Sequence, residues 1–359
     1  MRINHLTLQN FRNYADQTVA FDSACNVICG ENAQGKTNLL EGIYTFARGK
    51  SFRSASDTEL CRFGESSYAL SLLCRTAVRD ISLAYRFSDG RRERRLGGAP
   101  VSRLSEMIGH FRAVLFYPDH LQLLKGGPSE RRLFLNIAIS QLDPLYLSSL
   151  SRYEKLLTNR NSLLKAAQKT GQLDHDLIYA YSEGMAQECA LIHRTRAAYI
   201  DKLNEEAGAW LSALSGERER LALTYESDVP DGTREGYLTR LTDNLSREAA
   251  AGCSLYGVQR DEMKIEINGK DARTYASQGQ ARSVVLCLKL GEGEAARRIG
   301  GEYPVFLFDD VLSELDEKRR AYLLSEIHNK QVIMTSCERV SADNARIIRV
   351  RNGTYEEER

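Results

Sequence analysis

Residues 30–37 read Gly30-Glu31-Asn32-Ala33-Gln34-Gly35-Lys36-Thr37, which satisfies G-x-x-x-x-G-K-[ST] at every fixed position. The residue types follow from the chemistry. Glycines let successive backbone N–H groups curl around a phosphate. Lys36 carries a compact positive charge to the β- and γ-phosphates, and Thr37 offers a hydroxyl to Mg²⁺. A helix opening near Lys36 adds its positive end. The pattern arises by chance in about one chain of this length in a hundred. Its flanks lower that figure: the apolar run Val27-Ile28-Cys29 precedes it, and Leu39-Leu40-Glu41-Gly42-Ile43 reads as a helix behind it. The whole stretch from Gly30 to Thr37 is therefore expected to cradle the phosphates of a nucleotide.

Two later segments complete the chemistry. Val305-Phe306-Leu307-Phe308 ends in Asp309-Asp310. Four apolar residues suggest a strand buried on both faces, and an acid at its carboxyl end lies where α/β sheets place ligands. Asp309 is expected to hold Mg²⁺, and Asp310 to polarise an attacking water. Ser277-Gln278-Gly279-Gln280 stands just before a helix, about 30 residues upstream of those acids. A serine there is an ordinary N-cap, but such a cap is also a second anion site. The segment looks like the Ser-x-Gly-Gln signature of the ATP-binding-cassette superfamily, which closes on a γ-phosphate held by another subunit. Ser313-Glu314-Leu315-Asp316 looks like the D-loop of the same superfamily.

The rest of the chain is read around these points. Ile3, Leu6, Leu8, Phe11, Val19 and Phe21 alternate as strands do. Ser82 to Phe87 and the Asp89-Gly90 turn predict a hairpin with Arg91-Arg92-Glu93-Arg94-Arg95 at its tip. Val114 to Tyr117, Leu221 to Tyr225, Lys264 to Ile267 and Val332 to Met334 are further strands, and Glu317 to Ile327 a helix. No proline falls between Pro144 and Pro230. There the spacing predicts one helix from about Leu145 to Ala167 and another from Ile178 to Leu214, with Arg196 filling a polar gap. Fewer than four clean heptads per helix favour a helical subdomain over a coiled coil.

At 359 residues, with 42% hydrophobic and 27% charged residues, the chain has the composition of a globular protein of about two lobes. Lys and Arg total 49 against 48 Asp and Glu, which excludes a uniformly basic coat but not a local basic face. Scattered single cysteines, no apolar stretch of membrane-spanning length and no signal peptide at Met1 to His5 predict a cytoplasmic protein without membrane contact. Cys25 and Cys29 have no partner pair at metal-ligand spacing and read as ordinary thiols.

Over essentially its whole length the chain resembles the RecF family of bacterial DNA replication and repair proteins. The likeness rests on Leu8 to Tyr14, Glu31 to Glu41, Gly49-Lys50-Ser51-Phe52-Arg53, Lys125 to Arg132, Asn159 to Lys165 and Ser277 to Arg282. It implies an α/β fold: a cassette-type P-loop ATPase head with a mixed sheet and helices (1–120 and 255–359) and an inserted α-helical arm lobe (121–254). It implies Mg²⁺ and ATP as ligands, an ATP-dependent homodimer, and a weak DNA-stimulated ATPase. It further implies binding to double-stranded DNA and to gapped junctions, recombinase loading with RecO and RecR, and support of the SOS response. By the family motif Arg12 and Asn13 lie near the nucleotide.

The chain departs from that family where Gln259 replaces a usual histidine and Asn136 a common aspartate. Thr335-Ser336-Cys337 stands where many cassette ATPases have a sensing histidine, and Phe116 to His120 is the region expected to hold the Q-loop. Lys50, Arg53, Arg131 and Arg132 are the candidate DNA contacts. Two other classes compete: a P-loop kinase acting on a small molecule, which would need no signature segment, and a non-hydrolysing DNA-binding scaffold, which would need neither Asp309 nor Asp310.

Overall fold

The computed structural model describes residues 1–22, 24–53, 56–327, 329–337, 345–351 and 353–357. Three sheets organise it. The first is antiparallel, in the order β2-β1-β4-β5-β6-β7. Its strands are β1 (Arg2–Phe11), β2 (Tyr14–Ala20), β4 (Tyr68–Arg75), β5 (Asp80–Ser88), β6 (Arg91–Leu96) and β7 (Ala99–Pro100). The second, in the order β15-β14-β3-β13-β12-β8, is parallel except at β15. It holds β3 (Cys25–Cys29), β8 (Ala113–Phe116), β12 (Val305–Phe308), β13 (Val332–Ser336), β14 (Arg346–Arg351) and β15 (Thr354–Glu357). A small third sheet joins β9 (Leu221–Glu226), β10 (Glu262–Ile267) and β11 (Lys270–Asp271). This is the mixed-sheet α/β head with a helical lobe that the sequence predicts.

Strands β3, β8, β12 and β13 of the parallel sheet are buried on both faces, and their alternation sorts side chains between two cores. Ile28, Leu115, Leu307 and Ile333 join a core shared with the antiparallel sheet and helix α1 (Lys36–Arg48). Val27, Val114, Phe116, Phe306, Phe308, Val332 and Met334 point the other way, into the core of the helical lobe. That lobe contains α2 (Gln122–Lys125), α3 (Pro128–Ser140), α4 (Pro144–Thr170), α5 (His175–Ser215), α6 (Arg234–Asp243) and α7 (Leu245–Ala251). After α8 (Ala272–Tyr275), helix α9 (Gln278–Gly300) runs along this same face, and α10 (Glu317–Glu326) follows β12. The two faces matter later, because α1 and α9 lie on opposite sides of one sheet.

Helix α5 extends about 60 Å at 1.5 Å per residue, yet it is no free arm. It packs on α4, α6, α9 and β9, which makes the helical pair part of a packed subdomain. Two glycines set how closely α9 approaches its neighbours. A Cβ at Gly291 would lie 2.8 Å from the Ala207 backbone nitrogen in α5, and one at Gly293 would lie 2.1 Å from Phe306 in β12. The sheet of β9 with β10 and the contact of α5 with α9 both cross residue 254, so the helical lobe and the head share one core.

Two positions differ from the sequence reading. The arginines expected at a hairpin tip occupy β6, whereas the turn itself is Asp89-Gly90. Arg92 folds inward onto the Asp57 carboxylate and the Gly49 carbonyl, because alternate strand positions face the core. Arg196 is not a solvated gap in the amphipathic pattern. It is 2% exposed and donates to Tyr146 Oη (3.1 Å), the Val258 carbonyl (2.7 Å) and Asn136 Oδ1 (2.9 Å).

A second fully buried arginine, Arg160, ties α4 to the end of α7. Its guanidinium lies 2.7 Å from the Glu248 carboxylate, both side chains being wholly buried, and donates to Ser182 and Ser254. Removing one partner strands the other charge in the interior, at a cost of about 3–5 kcal/mol. Arg160→Ala is expected to lower the free energy of urea unfolding by that amount, and Arg160→Met with Glu248→Gln, which keeps the acceptor for the Leu255 N–H, to recover most of it. Equal destabilisation by the single and double changes would contradict this reading.

Candidate nucleotide site

The phosphate loop leaves the carboxyl end of β3 and closes into the N-terminus of α1. Gly35 caps α1 at φ 115°, and Ala33 also takes a positive φ of 64°. A Cβ at Gly35 would sit 2.5 Å from Asn13 Nδ2, so the position excludes any side chain. Lys36 is buried and bends back over the loop, donating to the Gly30 carbonyl (2.6 Å) and the Glu31 carbonyl (2.9 Å). Those carbonyls hold the ammonium over the cradle that a triphosphate would fill. Cys337 Sγ, 3.5 Å from Lys36 Nζ, donates to Asn32 Oδ1 (2.9 Å) and so closes the far rim. Gln34 contributes its carbonyl, which accepts from Asn13 Nδ2 (2.8 Å).

The acids arrive because β12 and β13 are in register with β3. Phe308 pairs with Met334, and Ser336 with Cys29, so all three strands end at one edge. Thr37 Oγ1 donates to Asp309 Oδ1 at 2.9 Å, and Thr335 Oγ1 donates to the same oxygen at 2.8 Å. Thr335 also accepts from the Asp310 backbone N–H (2.9 Å). One hydroxyl therefore fixes both acids. Burial pushes the Asp309 carboxyl above the usual range, opposed by hydrogen bonds from Thr335 and Thr37. Asp310 sits at φ 52°, a left-handed conformation that turns it out of the strand. An adjacent hydroxyl and carboxylate are hard oxygen donors, the set that suits Mg²⁺.

A charged network braces the outer side of α1. Glu41, fully buried, accepts from Arg12 Nε (2.8 Å) and Nη2 (2.6 Å) and from Ser51. Asn38 donates to Asn13 Oδ1 (2.9 Å) and accepts from Arg53 (2.8 Å). Arg53 also stands 3.9 Å from Glu41. Asn13 is thus placed against the phosphate loop, whereas Arg12 is engaged with Glu41 and the Glu59 carbonyl, and Arg53 is tied to the same helix. Glu41 and Asn38 are not given a role by the sequence, and Thr335, which the sequence places where a sensing histidine is common, holds the two acids instead. The first two lie at helical spacing (i, i+3) on α1, a signal that names a shared face but not its partners.

The signature segment lies elsewhere. Ser277 caps α9 and is exposed: its Oγ accepts from Gln280 N–H (3.2 Å), while Gln280 Oε1 accepts from Ser277 N–H (3.0 Å). This capping box leaves the Ser277 hydroxyl proton available to donate outward. Gln278 beside it is exposed, and Gln280 Nε2 reaches Glu219 (3.0 Å) in the helical lobe. A side chain at Gly279 would meet the Arg319 guanidinium at 3.8 Å, and Arg319 pairs with Asp316 (2.6 Å). The segments read as signature and D-loop therefore adjoin, although the Glu314 side chain lies outside the described residues. Helix α9 packs on the face of the parallel sheet opposite α1.

Other expected positions sort clearly. Phe116 to His120 leaves β8 into a tight turn, where His120 Nδ1 accepts from Tyr117 N–H (3.3 Å). Burial holds that imidazole well below its ordinary pKa. Gln259 accepts from Tyr153 Oη and donates to the Tyr256 carbonyl (2.9 Å), so the residue replacing histidine is satisfied inside the helical lobe. Arg131 is a correction. It is 5% exposed and grips Glu262 with two bonds (2.7 and 2.6 Å), with further bonds to Leu123 and Gly126 carbonyls. A guanidinium so engaged braces α3 against β10 and is not offered to DNA. Arg132 is half-buried on the Asp261 carbonyl (3.0 Å), whereas Lys50 is exposed.

Residues 2–357 match the family described as RecF/RecN/SMC N terminal domain. DNA replication and repair protein RecF of Staphylococcus aureus strain JH9 is 35% identical, covering 98% of this chain and 99% of that protein. A solved structure described as the recombination mediator protein RecF-ATP in the RecFOR pathway superposes with a TM-score of 0.93 at 34% identity, over 100% of this chain and 98% of that one. An Smc head bound to the C-winged helix domain of ScpA shares the fold at TM-score 0.60 and 16% identity.

Thr335→Val keeps the shape of the strand and removes the hydroxyl that holds Asp309 and Asp310. Losing two hydrogen bonds of roughly 1 kcal/mol each is expected to slow phosphate release from ATP by about tenfold or more while nucleotide binding persists. Unchanged turnover would show that the acids are positioned without it.

Proposed function

The chain belongs to the RecF family, and on that premise we propose that it is an ATP-gated DNA-binding protein of recombinational repair and replication restart. It acts in the cytoplasm on double-stranded and gapped DNA. It works beside RecO- and RecR-type mediators in recombinase loading and supports the SOS response. Its catalytic activity is a weak, DNA-stimulated ATPase whose turnover separates a nucleotide-bound dimer.

The observation that carries this reading is the division of the site. Gly30 to Thr37, Asp309 and Asp310 stand together at the carboxyl edge of the sheet, while the exposed Ser277 cap begins a helix on the sheet's other face. Helix α9 spans about 34 Å and β12 about 13 Å, so with four residues between them the capped end extends well past the strand. On this reading a γ-phosphate held by one copy meets a second copy's Ser277, Gly279 and Gln280. ATP then bridges two half-sites, and each protomer supplies both halves once.

Roles follow for each residue. Lys36 and the loop N–H groups bind the phosphates, and Arg12 and Asn13 support the loop from outside. Thr37 and Asp309 would hold Mg²⁺, which when bound supplies positive charge against the phosphate oxygens. Asp310, turned outward by its left-handed backbone, orients a water in line with the γ-phosphorus. Cleavage of the terminal phosphoanhydride releases inorganic phosphate and removes the group that Ser277 contacts, so the interface loosens. Lys50, Arg53 and Arg132 are the proposed DNA contacts, with Arg53 joined to the nucleotide site through Asn38 and Asn13.

Three variants separate these roles. Lys36→Ala is expected to lose ATP binding and dimerisation together. Asp310→Asn is expected to bind ATP and accumulate as dimer, and Ser277→Arg to bind ATP but remain monomeric. Molar mass by sedimentation with ATP, ADP and neither, repeated with gapped duplex, distinguishes them. Normal dimerisation of Ser277→Arg would remove the composite site. Undetectable phosphate release with every DNA form would favour a scaffold that holds ATP without cleaving it.

A further inference from the structure

A cleft of about 830 Å³ opens where the end of α1 and the turn Leu104–Glu106 face helices α3 and α4. Its size falls within the roughly 300–1,000 Å³ range of ligand-binding clefts. The floor is aliphatic: Leu104, Ile108, Leu133 and Ile137 line it, joined by Leu147 and Leu150 of α4. Leu133 remains 41% exposed there, although packed helices normally cover such a residue. The rim carries the opposite character. Lys50, Arg103 and Lys155 are all exposed, and among the described residues none of them forms an ion pair. Arg48 and Arg152 flank them, the latter paired with Glu188 (2.6 Å), and Glu154 is the single acid on the lining.

Unpaired cations around an aliphatic floor define the chemistry of the occupant. Phosphate backbone would satisfy the cations but leave the leucines wet, because it presents no apolar surface. A second copy of this chain is poorly matched by a rim of one sign. We propose that this cleft docks an acidic, amphipathic peptide segment of a partner protein, its aliphatic side chains on the leucine floor and its carboxylates against Arg103 and Lys155. This is the helix-in-groove mode, in which apolar anchors supply affinity and charge fixes register. The cleft is bounded by the head on one side and the helical lobe on the other, so an occupant touches both lobes.

The test uses the full chain without nucleotide, which keeps it independent of the ATP-gated dimer. Three fluorescein-labelled probes are compared by anisotropy. One is a peptide of about 18 residues, five helical turns, with Leu at i, i+3, i+4 and i+7 spacing and Glu elsewhere. The second is a scrambled peptide of the same composition, and the third a duplex of similar length. The patterned peptide is expected to bind about tenfold or more tightly than the scramble. Arg103→Glu or Lys155→Glu is expected to weaken it about tenfold, with a loss at high salt. Leu133→Ser is expected to weaken it in a salt-independent manner. Equal binding of patterned and scrambled peptides would overturn the proposal. So would a Lys155→Glu effect confined to the duplex, or loss of ATP-dependent dimerisation in Arg103→Glu and Lys155→Glu with no effect on peptide.

Discussion

The structure depends on the in-register pairing of β3, β13 and β12. Parallel strands that end together present their last residues along one edge, and backbone hydrogen bonds fix that edge far more firmly than loops could. Here the edge brings Gly30 beside Asp309 and Thr335, which lie more than 270 residues downstream. The Thr335 hydroxyl converts proximity into geometry, since it donates to Asp309 and accepts from the Asp310 N–H. A slip of one residue in β13 would turn that hydroxyl to the other face of the sheet.

Burial on both faces of this sheet explains the rest of the architecture. One face is covered by α1 and the antiparallel sheet, and the other by α9 and the helical lobe. Phosphate loop and signature helix are thus held by the same strands yet kept apart by their thickness. The helical lobe is bound to the head through glycine contacts of α9 and through the β9–β10 pairing.

The buried arginines share one environment: Arg160, Arg196 and Arg131 each meet a carboxylate or carbonyl oxygen within about 3 Å. Such residues look like solvated cations when only their type and spacing are read. That is why Arg131 was expected to meet DNA and Arg196 to fill a polar gap. Whether an arginine faces water or an acid depends on Glu262, Asn136 and Val258, partners distant in sequence.

Local pattern was enough for everything governed by neighbouring residues. The spacing of Gly30, Gly35, Lys36 and Thr37 specifies a phosphate cradle because the same few residues both bend the backbone and donate to the anion. The run Val305 to Phe308, the long helices and the Ser277 cap are equally local, and each is found where its pattern predicts. What the tertiary structure alone decided is pairing over distance: Glu41 with Arg12, Thr335 with both acids, a leucine-floored cleft between lobes, and the opposite faces of α1 and α9. Side-chain periodicity tells which face a residue occupies, but only strand order and packing decide what stands across from it.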